Sequence, residues 1–341
     1  MADSKITADK FKLVGTHENH DDREKIAAPS LTFTQDAFRR LKKNKAAMIS
    51  LVVLTLMVLI SIISLFWLPS DPNAANPAFK NLAPKIGNLN IPGFNGFWKT
   101  ISGVSVDTYA NAKVPDGTWY IFGTDYLGRD LFSRTIVGIR VSLFIAFMAT
   151  LFDLSIGVLY GIISGWRGGR TDTIMQRVIE IISSIPNLVV IILMMLVLKP
   201  GMTSIILAIA ITGWITMARL VRAQTLQLKD QEFILAARTL GEKSSKIAFK
   251  HLIPNLSSVI IIQTMFTIPS AIFFEAFLSY IGIGIPAPTA SLGTLLSDGQ
   301  KMFRFFSFEL WIPAVFIVVI MLAFNLLADG LRDAFDPKTM N

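Results

Sequence analysis

Residues 46–68 read AAMISLVVLTLMVLISIISLFWL and follow directly on the cationic run RRLKKNK at 39–45. A bilayer core about 30 Å thick is crossed by a helix of about 20 apolar residues. The stretch meets that length without a single charge, which makes it a transmembrane helix. Working outward, the same reading finds further spans at 141–165, 174–198, 202–221, 256–281 and 310–327. Backbone polar groups in lipid need internal partners, so each span is expected to be helical. The fold class is therefore an all-α integral membrane protein with six transmembrane helices.

Composition agrees. The 341 residues are 52% hydrophobic and only 16% charged, below the roughly 25% charged residues of soluble domains. The net charge of +8 does not signal nucleic acid, because Lys and Arg gather beside the apolar spans as the positive-inside rule requires. Cysteine is absent, which excludes disulfides, thiol catalysis and Cys-based metal sites. No cleavable signal peptide is expected, since a polar leader precedes the first apolar run. That leader, 1–45, has mixed charge and no apolar period, and much of it is expected to be disordered. The His17–His20 stretch within it reads as solvated tail rather than metal site.

Arg39, Arg40, Lys42, Lys43 and Lys45 place the N-terminus in the cytoplasm. Six spans bring the C-terminal tail, 329–341, to the same side. Segment 69–137 is then extracytoplasmic. Its VPDGTWYIFG stretch (114–123) joins an Asp-Gly turn signal to a β-prone run, the pattern of a hairpin. Residues 138–328 form the core with the remaining spans.

Polar residues inside the spans mark protein or water contacts, because each mid-membrane carboxylate costs about 2.5–3.5 kcal/mol on insertion scales. Asp153 is followed at intervals of four by Gly157, Gly161 and Gly165. Small residues at that spacing admit a second backbone, so Asp153 is expected in a helix contact, with the substrate path as the alternative. Gln176, Glu180, Ser183, Ser184 and Asn187 follow a helical period and form one polar stripe, suited equally to a water-filled passage and to a partner helix; Pro186 should kink it. Glu275, with Ser279 one turn on, reads as structural hydrogen bonding, as do Asn325 and Asp329. Asp130 and Arg134, spaced i, i+4 in GTDYLGRDLFSR, suggest an amphipathic helix at the outer interface.

The internal loop 222–255, RAQTLQLKDQEFILAARTLGEKSSKIAFKHLIPN, is the most informative stretch. Propensity favours a helix over 231–240 stopped by Gly241, then a second over 244–251 ended by Pro254. Two short helices with Phe233, Leu240, Ile247 and Phe249 make a knob suited to a groove on another protein, or to an anionic lipid surface. Phosphate-loop and HExxH motifs are both missing, and the three His residues form no hydrolytic arrangement. No catalytic or metal site is expected.

Here a resemblance becomes specific. Ala236-Ala237-Arg238-Thr239-Leu240-Gly241, then nine residues, then His251-Leu252-Ile253-Pro254-Asn255, resembles the signature loop of ATP-binding-cassette importer permeases, with Leu235 where an acidic residue is usual. FGTDYLGRDLFSR (122–134), SIPNL (184–188), TGWITMARLVR (212–222), FEAFLSYIGIGIPAP (274–288) and AFNLLADGLRDAFDP (323–337) resemble the second permease subunit of oligopeptide and dipeptide importers. The resemblance covers roughly 46–337. It implies the six-helix type I importer fold and a coupling role for Ala236, Ala237, Gly241, His251 and Pro254. It implies as partners a second permease subunit, two ATPase subunits, an extracytoplasmic peptide-binding protein and the peptide. ATP and Mg would sit in the ATPase subunits, so the chain itself carries no cofactor and hydrolyses nothing. Asp153, Glu180, Ser184, Asn187 and Glu275 remain candidates for the translocation path. Nickel-chelate importers share the signature; an ATP-independent channel or secondary transporter is the reading from another class.

Overall fold

The computed structural model describes residues 33–335; the His17–His20 stretch lies outside them. In chain order the helices are α1 (Phe33–Leu41), α2 (Lys45–Ile63), α3 (Thr108–Asn111), α4 (Leu131–Arg167), α5 (Gly169–Ser183), α6 (Asn187–Leu198) and α7 (Met202–Leu228). They continue as α8 (Glu232–Thr239), α9 (Ser244–Ile247), a π-helical turn (Ala248–Leu252), α10 (Ile253–Tyr280), α11 (Leu292–Met302) and α12 (Phe308–Phe335). One antiparallel hairpin, β1 (Phe97–Lys99) and β2 (Ser105–Asp107), sits in the long segment between α2 and α4. Among the described residues, α2, α4, α7, α10 with the turns before it, and α12 are each long and apolar enough to cross a membrane. α5 and α6 meet the same test only as a pair, bent by 77° at their break, which makes six spans when the pair is counted as one.

The close packing of α4 on α7 organises the bundle. Gly157, Gly161 and Gly165 face Met217, Ala218 with Val221, and Thr225, and a Cβ at each would lie 2.7–2.8 Å from those residues. A methyl group has no room there. The partner that the four-residue glycine spacing called for is α7, and Asp153 lies in the same seam against Gly213, whose hypothetical Cβ would fall 2.3 Å from Asp153 Oδ1.

Several expectations are corrected. The described end of the leader forms α1, because Ala37 and Leu41, one turn apart, bury against α12; the expected disorder of the rest lies outside the described residues. Leu41 reaches to 3.3 Å from where a Gly330 Cβ would stand. The hairpin is at 97–107, not in 114–123, where Pro115 and Gly117 build a reverse turn instead. α12 runs to Phe335, so the first part of the 329–341 tail continues the helix. α4 begins ten residues before the expected span, since Asp130 caps it by accepting from the N–H groups of Phe132 and Ser133 at 3.1 and 3.2 Å. Asp130 therefore makes no pair with Arg134, which turns to Asp125 (3.4 Å).

α11 is absent from the sequence expectation. Its signal is local: Ser291 Oγ accepts the Thr294 N–H, and Thr294 Oγ1 accepts the Ser291 N–H, a reciprocal cap. The segment between α2 and α4 folds over this end of the bundle. Trp98 Nε1 donates to Phe305 O at 2.6 Å, and its ring packs edge-on to Phe308 at 5.0 Å. Arg129 pairs with Asp125 at 2.7 Å and approaches Asp298 of α11 at 3.7 Å. The neighbour this segment leans on is its own helical bundle.

Overpacking a tight contact destabilises by about 1–3 kcal/mol. Gly161→Val is therefore expected to lower the melting temperature in detergent, while Gly201→Ala, with no atom within 4 Å of its Cβ position, leaves it unchanged. Equal melting of the two variants would remove the seam from its organising place.

Candidate functional site

At the end of the bundle opposite the 97–107 hairpin, α8 and α9 form an elbow. α8 ends in a Schellman motif: the Glu242 N–H reaches Ala237 O at 3.0 Å and the Gly241 N–H reaches Arg238 O at 2.9 Å. Gly241 takes the left-handed conformation this needs, with φ +76°, in otherwise open space. Any side chain there is opposed by backbone sterics alone. Ile234, Ala237 and Ile247 turn inward and pack with Val158, Ile162, Met217 and Val221 from the α4–α7 pair. The Arg238 guanidinium lies 4.1 Å from the Trp166 ring centroid at the end of α4.

The outward surface sets large apolar side chains among polar ones. Leu240 is 86% exposed and Phe249 68%, with Phe233 and Leu235 also exposed. Large side chains left to solvent on a short, anchored elbow mark an interaction surface. Burial separates the sequence candidates: Ala236 and Gly241 are exposed, whereas Ala237 is buried in the elbow's base. His251 is not on the outward surface. Its Nε2 lies 2.9 Å from Glu242 Oε2, and Lys246 Nζ lies 3.0 Å from the other oxygen. Lys246 chiefly, then His251, holds the Glu242 carboxyl below the ordinary carboxylate range. Pro254 does not end the second helix as expected. The π turn over Ala248–Leu252 moves the Ile253 N–H onto Ala248 O, a register that accommodates the missing proline N–H just beyond it. The chain then runs straight into α10.

The polar candidates within the spans are not brought together. The 77° bend after Ser184 splits the expected stripe. Gln176 donates to Ser164 Oγ at 3.2 Å, Glu180 is exposed and pairs with Arg177 at 2.6 Å, and Ser183 accepts from Arg219 at 2.9 Å. Ser184 turns back on Ile181 O at 2.7 Å, and Asn187 is hydrogen-bonded by Thr212 across to α7. Pro186 does more than kink the helix: it separates two helices.

Asp153 is buried in the α4–α7 seam, and its Oδ1 has no hydrogen-bond partner. Glu275 is fully enclosed. It accepts from Ser142 at 2.7 Å and Ser279 at 2.9 Å, and Ser142 Oγ in turn accepts the Leu292 N–H at 3.2 Å. That network ties α4, α10 and α11. A feature missed by sequence reasoning is the Asp172–Arg222 pair, bonded at 2.6 and 2.5 Å, with Ser164 Oγ donating to the same carboxylate. It clamps α5 to α7 beside the elbow. Fifty residues separate its members, so local spacing carries no sign of it.

Glu242 contributes through its charged form. Because its folded pKa lies below the ordinary 4.5, that contribution is complete above about pH 5 and fades as pH falls through the lower folded value. Hydrogen-exchange protection of the 238–244 amides is expected to be level in this group's response from pH 5 to 8 and to drop in acid, and Glu242→Gln should abolish the acid-dependent drop. Gly241→Val should raise exchange at the same amides more than Gly241→Asn, since Asn tolerates the left-handed region. An equal effect of the two would contradict a conformational role.

The geometry now meets known sequences. Residues 157–341 match the family described as binding-protein-dependent transport system inner membrane component, and residues 32–84 match the N-terminal TM domain of oligopeptide transport permease C. The chain is 49% identical over 334 residues to a dipeptide transport system permease protein of Lactococcus lactis subsp. cremoris, covering 96% of this chain and 97% of the relative. It is 45% identical over 320 residues to an oligopeptide transport system permease protein of Bacillus subtilis, covering 94% of each. Among solved structures, an inward-facing form of the MetNI methionine ABC transporter superposes with a TM-score of 0.51 at 16% identity, over 60% of this chain and 97% of that one; this is a likeness of fold. The described helices, the elbow and these matches agree: the chain belongs to the binding-protein-dependent transport inner membrane component family, the membrane-spanning permease subunits of ATP-binding-cassette importers.

Proposed function

We propose that the cargo of this permease is peptide, and that the elbow is the point at which an ATPase subunit drives it. The relatives named above are dipeptide and oligopeptide systems, so the cargo is stated as peptides as a class. The observation that supports the drive point is the elbow's two-sided build. Its inner side is embedded between α4 and α7, and its outer side presents Leu240 and Phe249 with nothing to cover them. An apolar knob fixed to the bundle suits a groove on a nucleotide-driven partner.

In this reading ATP binding in two partner subunits moves the groove, and Ala236, Ala237 and Gly241 carry the displacement into the bundle. His251 acts as a brace on Glu242, and Pro254 sits where the elbow becomes α10. The cavity then changes the side on which it opens, which requires ATP to bind one state more tightly. ATP and Mg stay with those subunits. A binding protein delivers the peptide at the opposite end, and the cationic residues beside α2 set the elbow and both termini in the cytoplasm.

A second permease subunit completes the path. An apolar cleft of about 940 Å³, lined by Val58, Ile62, Val141, Phe144, Phe147 and Phe324, gives such a neighbour a surface to cover. None of Asp153, Glu180, Ser184, Asn187 and Glu275 lines that cleft. Of these, Glu180 and Ser184, exposed near the bend, are the ones available to a path; Glu275 ties three helices, and Asp153 is enclosed in the α4–α7 seam.

Leu240→Asp with Phe249→Asp is expected to leave membrane insertion and melting temperature unchanged, because both side chains are exposed. It should strip the ATPase subunits from the purified complex and abolish ATP-dependent uptake of labelled peptide into proteoliposomes. Retention of ATPase and uptake in that variant would sink the docking role. Uptake of a nickel chelate in place of peptide by the unmodified complex would overturn the cargo.

A further inference from the structure

The corner between α1 and α2 lies at the elbow end of the bundle, and the reading above uses it for orientation alone. It concentrates charge. Arg39, Arg40, Lys42, Lys43 and Lys45 fall within seven residues. Asp36 takes up Arg40 at 2.7 Å. Arg39, Lys42, Lys43 and Lys45 are all exposed, and among the described residues none of the four has an ion-pair partner. At the same end Arg222, Lys246 and Arg177 are matched with carboxylates, while Arg167, Arg170, Lys243 and Lys250 have no ion pair among the described residues but are spread over three separate segments.

The corner is built, not loose. Lys43 and Asn44 donate their N–H groups to Arg40 O and Leu41 O at 2.9 and 3.0 Å, and Asn44 Oδ1 accepts the Ala47 N–H at 3.1 Å, capping α2. Gly330 of α12 receives it closely: a Cβ there would lie 2.3 Å from Ala47 Cβ and 3.4 Å from Asn44 Nδ2. The backbone that carries the cations is therefore fixed against α12 through Leu41, Asn44 and Ala47, where the polar end of α2 gives way to apolar side chains. Directly along α2, Ile49 is 65% exposed, with Val52 and Leu56 also turned outward. Phe38 on α1 is 48% exposed, with the Lys42 ammonium 4.8 Å from its ring centroid. Unpaired cations beside an outward apolar helix and an exposed ring match the headgroup level of a bilayer and the acyl boundary next to it.

We propose that this corner is a binding site for the headgroup of an anionic phospholipid, its phosphate held by Arg39, Lys42, Lys43 and Lys45, with Phe38 at the acyl boundary. A zwitterionic headgroup brings its own cation and does not complement four cations that have no ion pair among the described residues. An anionic headgroup does, and basic clusters beside a membrane helix attract such lipids with an energy that grows with each residue. The site anchors α1 to the membrane surface while Ala37 and Leu41 anchor it to α12.

The test is native mass spectrometry of the full chain released from detergent containing equal phosphatidylglycerol and phosphatidylcholine. Phosphatidylglycerol is expected to be retained in excess by at least about tenfold. The triple variant Arg39→Gln, Lys42→Gln, Lys43→Gln should lose most of that excess. Lys42→Arg with Lys43→Arg should keep it, and so should Lys99→Gln with Lys113→Gln at the far end. Excess inorganic phosphate should not displace the lipid; displacement would reassign the site to a small anion. Equal retention of the two lipids by the unmodified chain, or an undiminished excess in the triple variant, would overturn the proposal. Should the triple variant fail to insert, the comparison of the two lipids on the unmodified chain still decides.

Discussion

The approach of α4 to α7 is the constraint on which the rest of the structure depends. Without a hydrophobic force between helices inside lipid, association rests on how closely backbones come together. Gly157, Gly161 and Gly165 allow that closeness on one side, and Gly213 allows it on the other by leaving space for the Asp153 carboxyl. The same pair of helices then supplies Val158, Ile162, Met217 and Val221 as the floor of the elbow. The elbow is thus an extension of the seam. Moving it without moving α4 and α7 would expose Ile234 and Ile247, which are fully buried.

This arrangement gives a short helix a fixed shape. α8 is too brief to hold its own shape. It is held by the left-handed turn at Gly241, the Glu242 brace with Lys246 and His251, and the stacking of Arg238 on Trp166. Each fastening faces inward or along the chain, which leaves Leu240 and Phe249 for a partner.

The opposite end follows a different rule. There the joints are polar: the Asp125–Arg129 pair, its approach to Asp298, and the Trp98 tether to Phe305. The hairpin has only three residues per strand, too few for independent stability. It persists because Trp98 is fastened to the residues entering α12. The notion of a hairpin was legible in the composition of this segment; its location was not, because an Asp-Gly signal at 116–117 marks a turn without saying what the flanking strands pair with.

What the sequence by itself determined were the properties written in local spacing. Apolar length defined the spans, four-residue glycine spacing announced a close helix contact, and Gly241 after a helix-favouring run marked the elbow's bend. Cationic clusters marked the ends that face one side. Tertiary structure alone decided which helix met the glycines, that Pro186 divides one apolar stretch into two helices, and that Pro254 is absorbed by a π turn instead of ending a helix. It also decided that Asp172 meets Arg222 and Glu275 meets Ser142. The reason is physical: propensity and periodicity act over a turn or two of helix, whereas the partner of a buried polar group is chosen by whichever distant backbone packs against it.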